Sequence, residues 1–142
     1  MKKYIFIIGC LLSMLSGLYG CRGDVEMLLS EEEDSGDSHG SGDYKGFYLL
    51  NEGNMGSNKS TLDFFDFETG KYTRNIYAEV NPSVPKELGD VGNDIGIYGS
   101  KLYAVINTSN KIEVMEANTA RRITQIDIPN CRFIQFHGKY AY

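Results

Sequence analysis

Residues 100–128 read Ser-Lys-Leu-Tyr-Ala-Val-Ile-Asn, a polar turn at Thr108-Ser109-Asn110, Lys-Ile-Glu-Val-Met-Glu-Ala, a second turn at Asn118-Thr119-Ala120, and Arg-Arg-Ile-Thr-Gln-Ile-Asp-Ile. Within the first run, Leu102, Ala104 and Ile106 fall on one face of an extended chain, and Tyr103, Val105 and Asn107 on the other. Both rows are largely apolar, the mark of a sheet covered on both sides. The same plan appears upstream: Gly46 to Asn51 matches the first run, Thr61 to Phe67 the second, and Glu68-Thr69-Gly70-Lys71 the turn from Asn118 to Arg121. It starts again at Gly138 to Tyr142, so that Lys101 and Lys139 open equivalent runs 38 positions apart. That period approaches the roughly 40 to 45 residues of one four-stranded propeller blade.

An all-β fold follows, a β-propeller of which the sequence supplies about two blades and the start of a third. The expected strands of the second blade are Asp94 to Tyr98 (A), Lys101 to Asn107 (B), Lys111 to Ala117 (C) and Arg122 to Ile128 (D). In the third blade Phe133 to His137 is A and Lys139 to Tyr142 begins B. The first unit has B, C and D at Phe47 to Asn51, Thr61 to Phe67 and Tyr72 to Tyr77, with no inner strand before them. Such a sheet needs neighbours on both faces, and typically about four to eight blades close a ring. Two blades do not close one, so the expectation is a partial propeller, its first blade completed by a strand from the far end.

Lys101-Leu102-Tyr103-Ala104-Val105, the Asn107-Thr108-Ser109-Asn110 turn, Ile112-Glu113-Val114, Asn118-Thr119 and Gln125-Ile126-Asp127-Ile128 resemble the YVTN-type, YncE-like propeller repeat. Asn51-Glu52-Gly53-Asn54 and Leu88-Gly89-Asp90-Val91-Gly92-Asn93-Asp94-Ile95 are similar to the blade signatures of surface lipoprotein propellers that gut Gram-negative bacteria pair with TonB-dependent transporters. The signature tetrapeptide is blurred at Ala104 to Asn107, and Glu52 to Ser60 lengthens the first turn. The resemblance implies a ring of seven blades when complete and a ligand captured for an outer-membrane transporter, with cobamides (forms of vitamin B12) the ligand of some members.

The front of the chain speaks to address. Lys2 and Lys3 precede an apolar run that continues to Tyr19, about 16 residues, shorter than the roughly 20 that span a bilayer and typical of a signal peptide. Leu18-Tyr19-Gly20-Cys21 resembles the bacterial lipobox, which makes Cys21 the lipid anchor and residues 1–20 the signal; a plain secretory signal or an uncleaved hydrophobic end is the alternative. Residues 21–45 carry Glu31, Glu32, Glu33, Asp34, Asp37 and Asp43 among Ser and Gly, a composition expected to remain a flexible acidic tether. The acids serve as a solubilising spacer, or, as in related surface lipoproteins, help direct the protein to the outer face. The expected location is the outer membrane, lipid-anchored, at the cell surface.

In a propeller the B-to-C loops and the D-to-A connections converge on one mouth of the channel; here these are Glu52 to Ser60, Glu79 to Asn93, Thr108 to Asn110 and Pro129 to Arg132. A concave mouth lined by Asn, Tyr and acidic groups suits a large ligand bearing amides. Asn51, Asn54, Met55, Asp90, Asn93, Asp94, Asn107 and Arg132 are the candidate contacts. The competing role for each is local: Asn and Gly at turns accept unusual dihedrals, and an Asp before a strand bonds its own backbone.

Other chemistries find little footing. A net charge of −5 without a basic cluster argues against nucleic acid. His39 and His137 have no partner at metal-ligand spacing, so no metal or other cofactor is expected. Asp63 with Asp66, and Asp90 with Asp94, read as turn residues rather than a catalytic pair, and Gly89-Asp90-Val91-Gly92-Asn93-Asp94 lacks the Lys of a phosphate loop. Cys131 is expected to be a small buried residue in a turn. The chain is thus read as a non-enzymatic binding propeller, its partners a cobamide, a TonB-dependent transporter and the membrane through the anchor alone. The alternative is a scaffold for protein or glycan contacts.

Overall fold

A computed structural model describes residues 31–34, 44–85 and 87–142. Among the described residues the fold is all-β apart from one five-residue helix. The first sheet contains β1 (Glu31–Asp34), β2 (Gly46–Asn51), β3 (Thr61–Asp66) and β4 (Lys71–Arg74), in the spatial order β1-β4-β3-β2. The helix α1 (Ile76–Val80) follows β4. The second sheet runs β5-β6-β7-β8 through β5 (Gly92–Tyr98), β6 (Lys101–Ile106), β7 (Lys111–Glu116) and β8 (Arg122–Asp127). A hairpin of β9 (Phe136–His137) and β10 (Tyr140–Ala141) closes the described chain, and every pairing is antiparallel.

The sequence repeat is also a repeat of register. β2 meets β3 from Gly46 opposite Asp66 to Asn51 opposite Thr61. β6 meets β7 from Lys101 opposite Glu116 to Ile106 opposite Lys111. The turns that follow match too. Gly70 and Ala120 both adopt left-handed backbone, with φ of 69° and 55°, and their N–H groups bond the carbonyls of Asp66 and Glu116 at 2.9 and 3.0 Å. A single αL residue closed by a bond four residues back stops the chain from continuing straight and returns it for the next strand.

Alternation along β6 and β7, the central strands of the second sheet, buries both of their faces. Leu102, Ala104, Ile106 and Met115 pack with Leu62, Tyr77, Leu88 and Ala120 between the two sheets, and Tyr48 and Leu50 of β2 close over them. The Tyr48 hydroxyl donates to the Ala117 carbonyl at 3.0 Å. On the opposite face Val105, Ile112 and Val114 pack with Cys131 and Ile134, beneath Tyr103 and Phe136. Each fully buried Leu, Ile or Met in these layers contributes about 1.5–3 kcal/mol.

Several expected boundaries move. The first unit's last strand, expected over Tyr72 to Tyr77, is β4 (Lys71–Arg74) and then α1. Asn75 causes the break. It sits in αL conformation, its N–H donates to Asp63 Oδ1 at 2.8 Å, and its side chain accepts from the Ala78 N–H to start the helix. Asn107, Ala117, Ile128 and Phe67 fall just outside their strands, their N–H groups bonding the carbonyls of Val91, Ser100, Asn110 and Lys45. The third unit's A strand shortens to β9 because the Ile134 N–H goes to Asp94 Oδ2 at 2.9 Å instead of a ladder. Within the expected tether, Glu31–Asp34 forms a strand paired with β4. The signal segment, Cys21 and the rest of the tether lie outside the described residues. β1 adds at the edge of β4, so the far edge of β2 has no partner strand among the described residues.

Candidate ligand-binding rim

Four loops meet at one end of the two sheets, and the chain ties each to the next. The segment 52–60 joins β2 to β3, 87–91 leads into β5, 107–110 joins β6 to β7, and 128–135 follows β8. Ser60 N–H bonds the Gly89 carbonyl at 2.9 Å and Gly92 N–H the Glu52 carbonyl at 3.0 Å. Asn107 N–H reaches the Val91 carbonyl at 2.9 Å and Thr108 N–H that of Asp90 at 3.2 Å. Ile128 N–H donates to the Asn110 carbonyl and Asn130 N–H to Asn110 Oδ1, both at 2.9 Å. The result is a continuous hydrogen-bonded rim.

Asp90 is its hub. Its buried carboxylate accepts the Gly56 N–H at 3.1 and 2.8 Å and the Asn58 N–H at 3.4 Å, while its own N–H donates to Ser109 Oγ at 2.8 Å. One residue therefore fixes three loops. Gly89 makes the approach feasible: at φ +141° any Cβ would fall 2.6 Å from Ile106 Cγ2 and 2.8 Å from Ser109 Oγ. Val91, beside it, holds φ +62° although β-branched, a conformation that costs of order 1–3 kcal/mol and persists only where surroundings impose it.

The candidate residues divide by what their side chains already do. Asn51 donates to Thr61 Oγ1 at 3.0 Å and to Asp63 Oδ2 at 2.8 Å, joining a network in which Asp63 also accepts from the Tyr72 hydroxyl at 2.7 Å. Asp90 holds the loops just described. Asp94 accepts the N–H groups of Ile95 and Ile134, both at 2.9 Å, and Asn107 donates to the Cys131 carbonyl at 2.8 Å. These four build the rim. Asn54, Met55, Asn93 and Arg132 stand exposed on it, Met55 at 80%. Asn93 occupies the bulge where the β5–β6 register shifts between Gly92 and Asp94.

Three residues escaped the sequence reading. Ser109 and Asn110 were visible only as generic turn formers, yet their side chains link consecutive loops. Phe133, 74% exposed beside Arg132, carries a readable signal as an aromatic placed directly after a turn, although alternation puts it at the start of a strand. Burial pushes the Cys131 thiol up from its ordinary value, in keeping with a packed rather than reactive residue. Among the described residues no group of three or more His, Cys, Asp or Glu side chains is placed to hold a metal ion.

Residues 45–139 match the model of a family described as a domain of unknown function (DUF5074). No curated protein matches the chain.

Proposed function

The chain belongs to the DUF5074 family, and we propose that it is a sector of a YncE-like β-propeller, anchored through Cys21 at the outer-membrane surface, that captures a ligand without catalysis. The observation behind this reading is the rim itself. Polar residues that could have faced solvent are spent in fixing four loops, and Asn54, Met55, Asn93 and Arg132 are presented on that fixed edge. Preorganised loops lower the entropic cost of binding. Amide, thioether and guanidinium groups together suit a broad ligand bearing amides and anionic groups, a cobamide being the specific proposal. Handover to a TonB-dependent transporter completes it. A second reading is a docking scaffold, favoured by two large apolar side chains, Met55 and Phe133, standing exposed on the same rim.

The test uses protein purified from native membranes in its natural length and assembly. Calorimetric titration with cyanocobalamin should give binding heat that Arg132→Ala weakens about tenfold or more, equivalent to about 1.4 kcal/mol. Absence of heat from the unsubstituted protein abandons the cobamide in favour of the scaffold. The anchor is tested separately. Labelled palmitate should enter the protein, persist in Cys10→Ala, which removes the other cysteine of the signal segment after Ile7-Ile8-Gly9, and vanish in Cys21→Ala; label retained by the latter overturns the anchor.

A further inference from the structure

The strand β1 reads Glu-Glu-Glu-Asp, a composition strands disfavour, yet it pairs with β4 along its whole length. Its partner reads Lys-Tyr-Thr-Arg. The register sets Glu31 opposite Arg74 and Asp34 opposite Lys71, so that a basic position answers an acidic one at both ends of the ladder. Opposite charges directly across an antiparallel pair stabilise it. Nothing comparable occurs in the second sheet, where β8, the counterpart of β4, ends the strand order among the described residues.

We infer that the outer edge of β4 is a strand-acceptor site for acidic extended chain, occupied by the protein's own Glu31–Asp34 as a charge-selected strap. A bare edge strand is a template for pairing with other chains, and a short, densely charged strand laid over it blocks that pairing. With four residues and no apolar residue among them, the strap has a backbone ladder and a register that places its acidic ends opposite Lys71 and Arg74. Screening should release it, since the Debye length falls from about 10 Å at 0.1 M salt to about 3 Å at 1 M. A further consequence rests on the proposed lipidation of Cys21. With the strap docked, residues 22–30 are the whole connection to the anchor, at most about 30 Å of extended chain, against about 80 Å for residues 22–45 when it is released. The strap therefore sets how far the sheets stand from the membrane.

Hydrogen exchange read by mass spectrometry, on the full chain and on its Cys21→Ala form, tests the strap apart from the anchor. Peptides spanning 31–34 and 71–74 should be protected at low salt and lose protection about tenfold or more at 1 M salt, while β6 and β7 stay unchanged. Lys71→Glu with Arg74→Glu should release the strap at low salt, and adding Glu31→Lys with Asp34→Lys should restore it. Should the first pair unfold the sheets, seen as exchange throughout β6 and β7, Glu31→Lys with Asp34→Lys alone gives the same reading, because it alters only the strap. Protection indifferent to salt and to charge reversal, or missing at low salt in the unsubstituted chain, overturns the inference. The strap stands in either form if Cys21→Ala behaves like the full chain, whatever becomes of the lipid.

Discussion

Asp90 and Glu113 show two ways a carboxylate is held in this chain. Asp90 lies at the surface end of the sheets and takes backbone donors from a loop. Its replacement by Ala leaves Gly56 and Asn58 N–H groups that water can reach in part, so a loss of about 1–2 kcal/mol is expected. Denaturant unfolding should read that loss, with faster amide exchange confined to residues 52–60; exchange unchanged there would deny Asp90 its role as hub. Glu113 is fully buried between the sheets, where it accepts from the Tyr77 hydroxyl at 3.1 Å and pairs with Lys111 at 3.1 Å and with the Arg122 Nε. Burial, then the adjacent Glu113 charge, pushes the Tyr77 hydroxyl well above the ordinary tyrosine value. The unfolded chain releases that proton near pH 10 and the folded chain retains it, so the unfolded state binds fewer protons above pH 10. Stability from this group is whole below pH 10 and declines as pH rises beyond it. Tyr48, also raised by burial, adds to the decline. Chemical denaturation at pH 8 and at pH 10.5 should show a smaller drop for Tyr77→Phe than for the unsubstituted protein, and equal drops would remove Tyr77 from the account.

At the scale of elements, most strands are legible in the sequence, while β1 and the helix are not. Alternation and turn chemistry place β2, β3, β6, β7 and β8 to within a residue or two, because both faces of each sheet demand apolar rows and the register repeats. α1 has five residues, too few for a helical period to emerge, and its Ile-Tyr-Ala core reads equally well as strand. The readable signals were Asn75 before it and Asn81-Pro82 after it. The rim divides likewise: the loops could be placed from strand order, but which side chains turn inward depends on partners distant in sequence, such as Asp94 with Ile134. α1 fastens the sheets together through Asn81, whose Nδ2 donates to the Tyr77 carbonyl at 2.9 Å and the Ala120 carbonyl at 3.0 Å, while its Oδ1 accepts the Arg122 N–H at 2.8 Å. Asn81→Ala leaves the Ala120 carbonyl and the Arg122 N–H without these bonds, while the Tyr77 carbonyl keeps the Asn81 backbone N–H, a cost of about 2–4 kcal/mol for the unmet groups. Thermal or denaturant unfolding should show that loss, and it should exceed the loss from Asp90→Ala, whose donors lie nearer water. The reverse order would mean that the rim, and not α1, governs cohesion of the two sheets.

For the molecule as a whole the decisive feature is what each sheet leaves uncovered. Strand alternation sends Tyr48 and Leu50 into the core between the sheets, and Phe47 and Leu49 to the far side of the first sheet, 47% and 45% exposed. There Phe47 stacks on Phe65 at 5.4 Å, and Phe67 packs against both at 6.0 and 5.7 Å. At the other end Ile123, Ile126 and Ile128 of the second sheet are exposed, with Tyr140 and Tyr142 of the final hairpin. The two surfaces differ, so stacking one against the other would be heterologous, adding molecules head to tail instead of pairing them about a twofold axis. Residues 44–142 produced alone should associate progressively with concentration in sedimentation velocity, without a plateau at dimer. Phe47→Lys with Leu49→Lys places charges on one of the two surfaces and leaves the core between the sheets untouched, so it should shift the distribution toward monomer while preserving the far-ultraviolet spectrum. A species that stays monomeric at high concentration and melts in one sharp transition would mean that a single pair of sheets is stable with both outer faces in water, contrary to the stacking requirement of a blade.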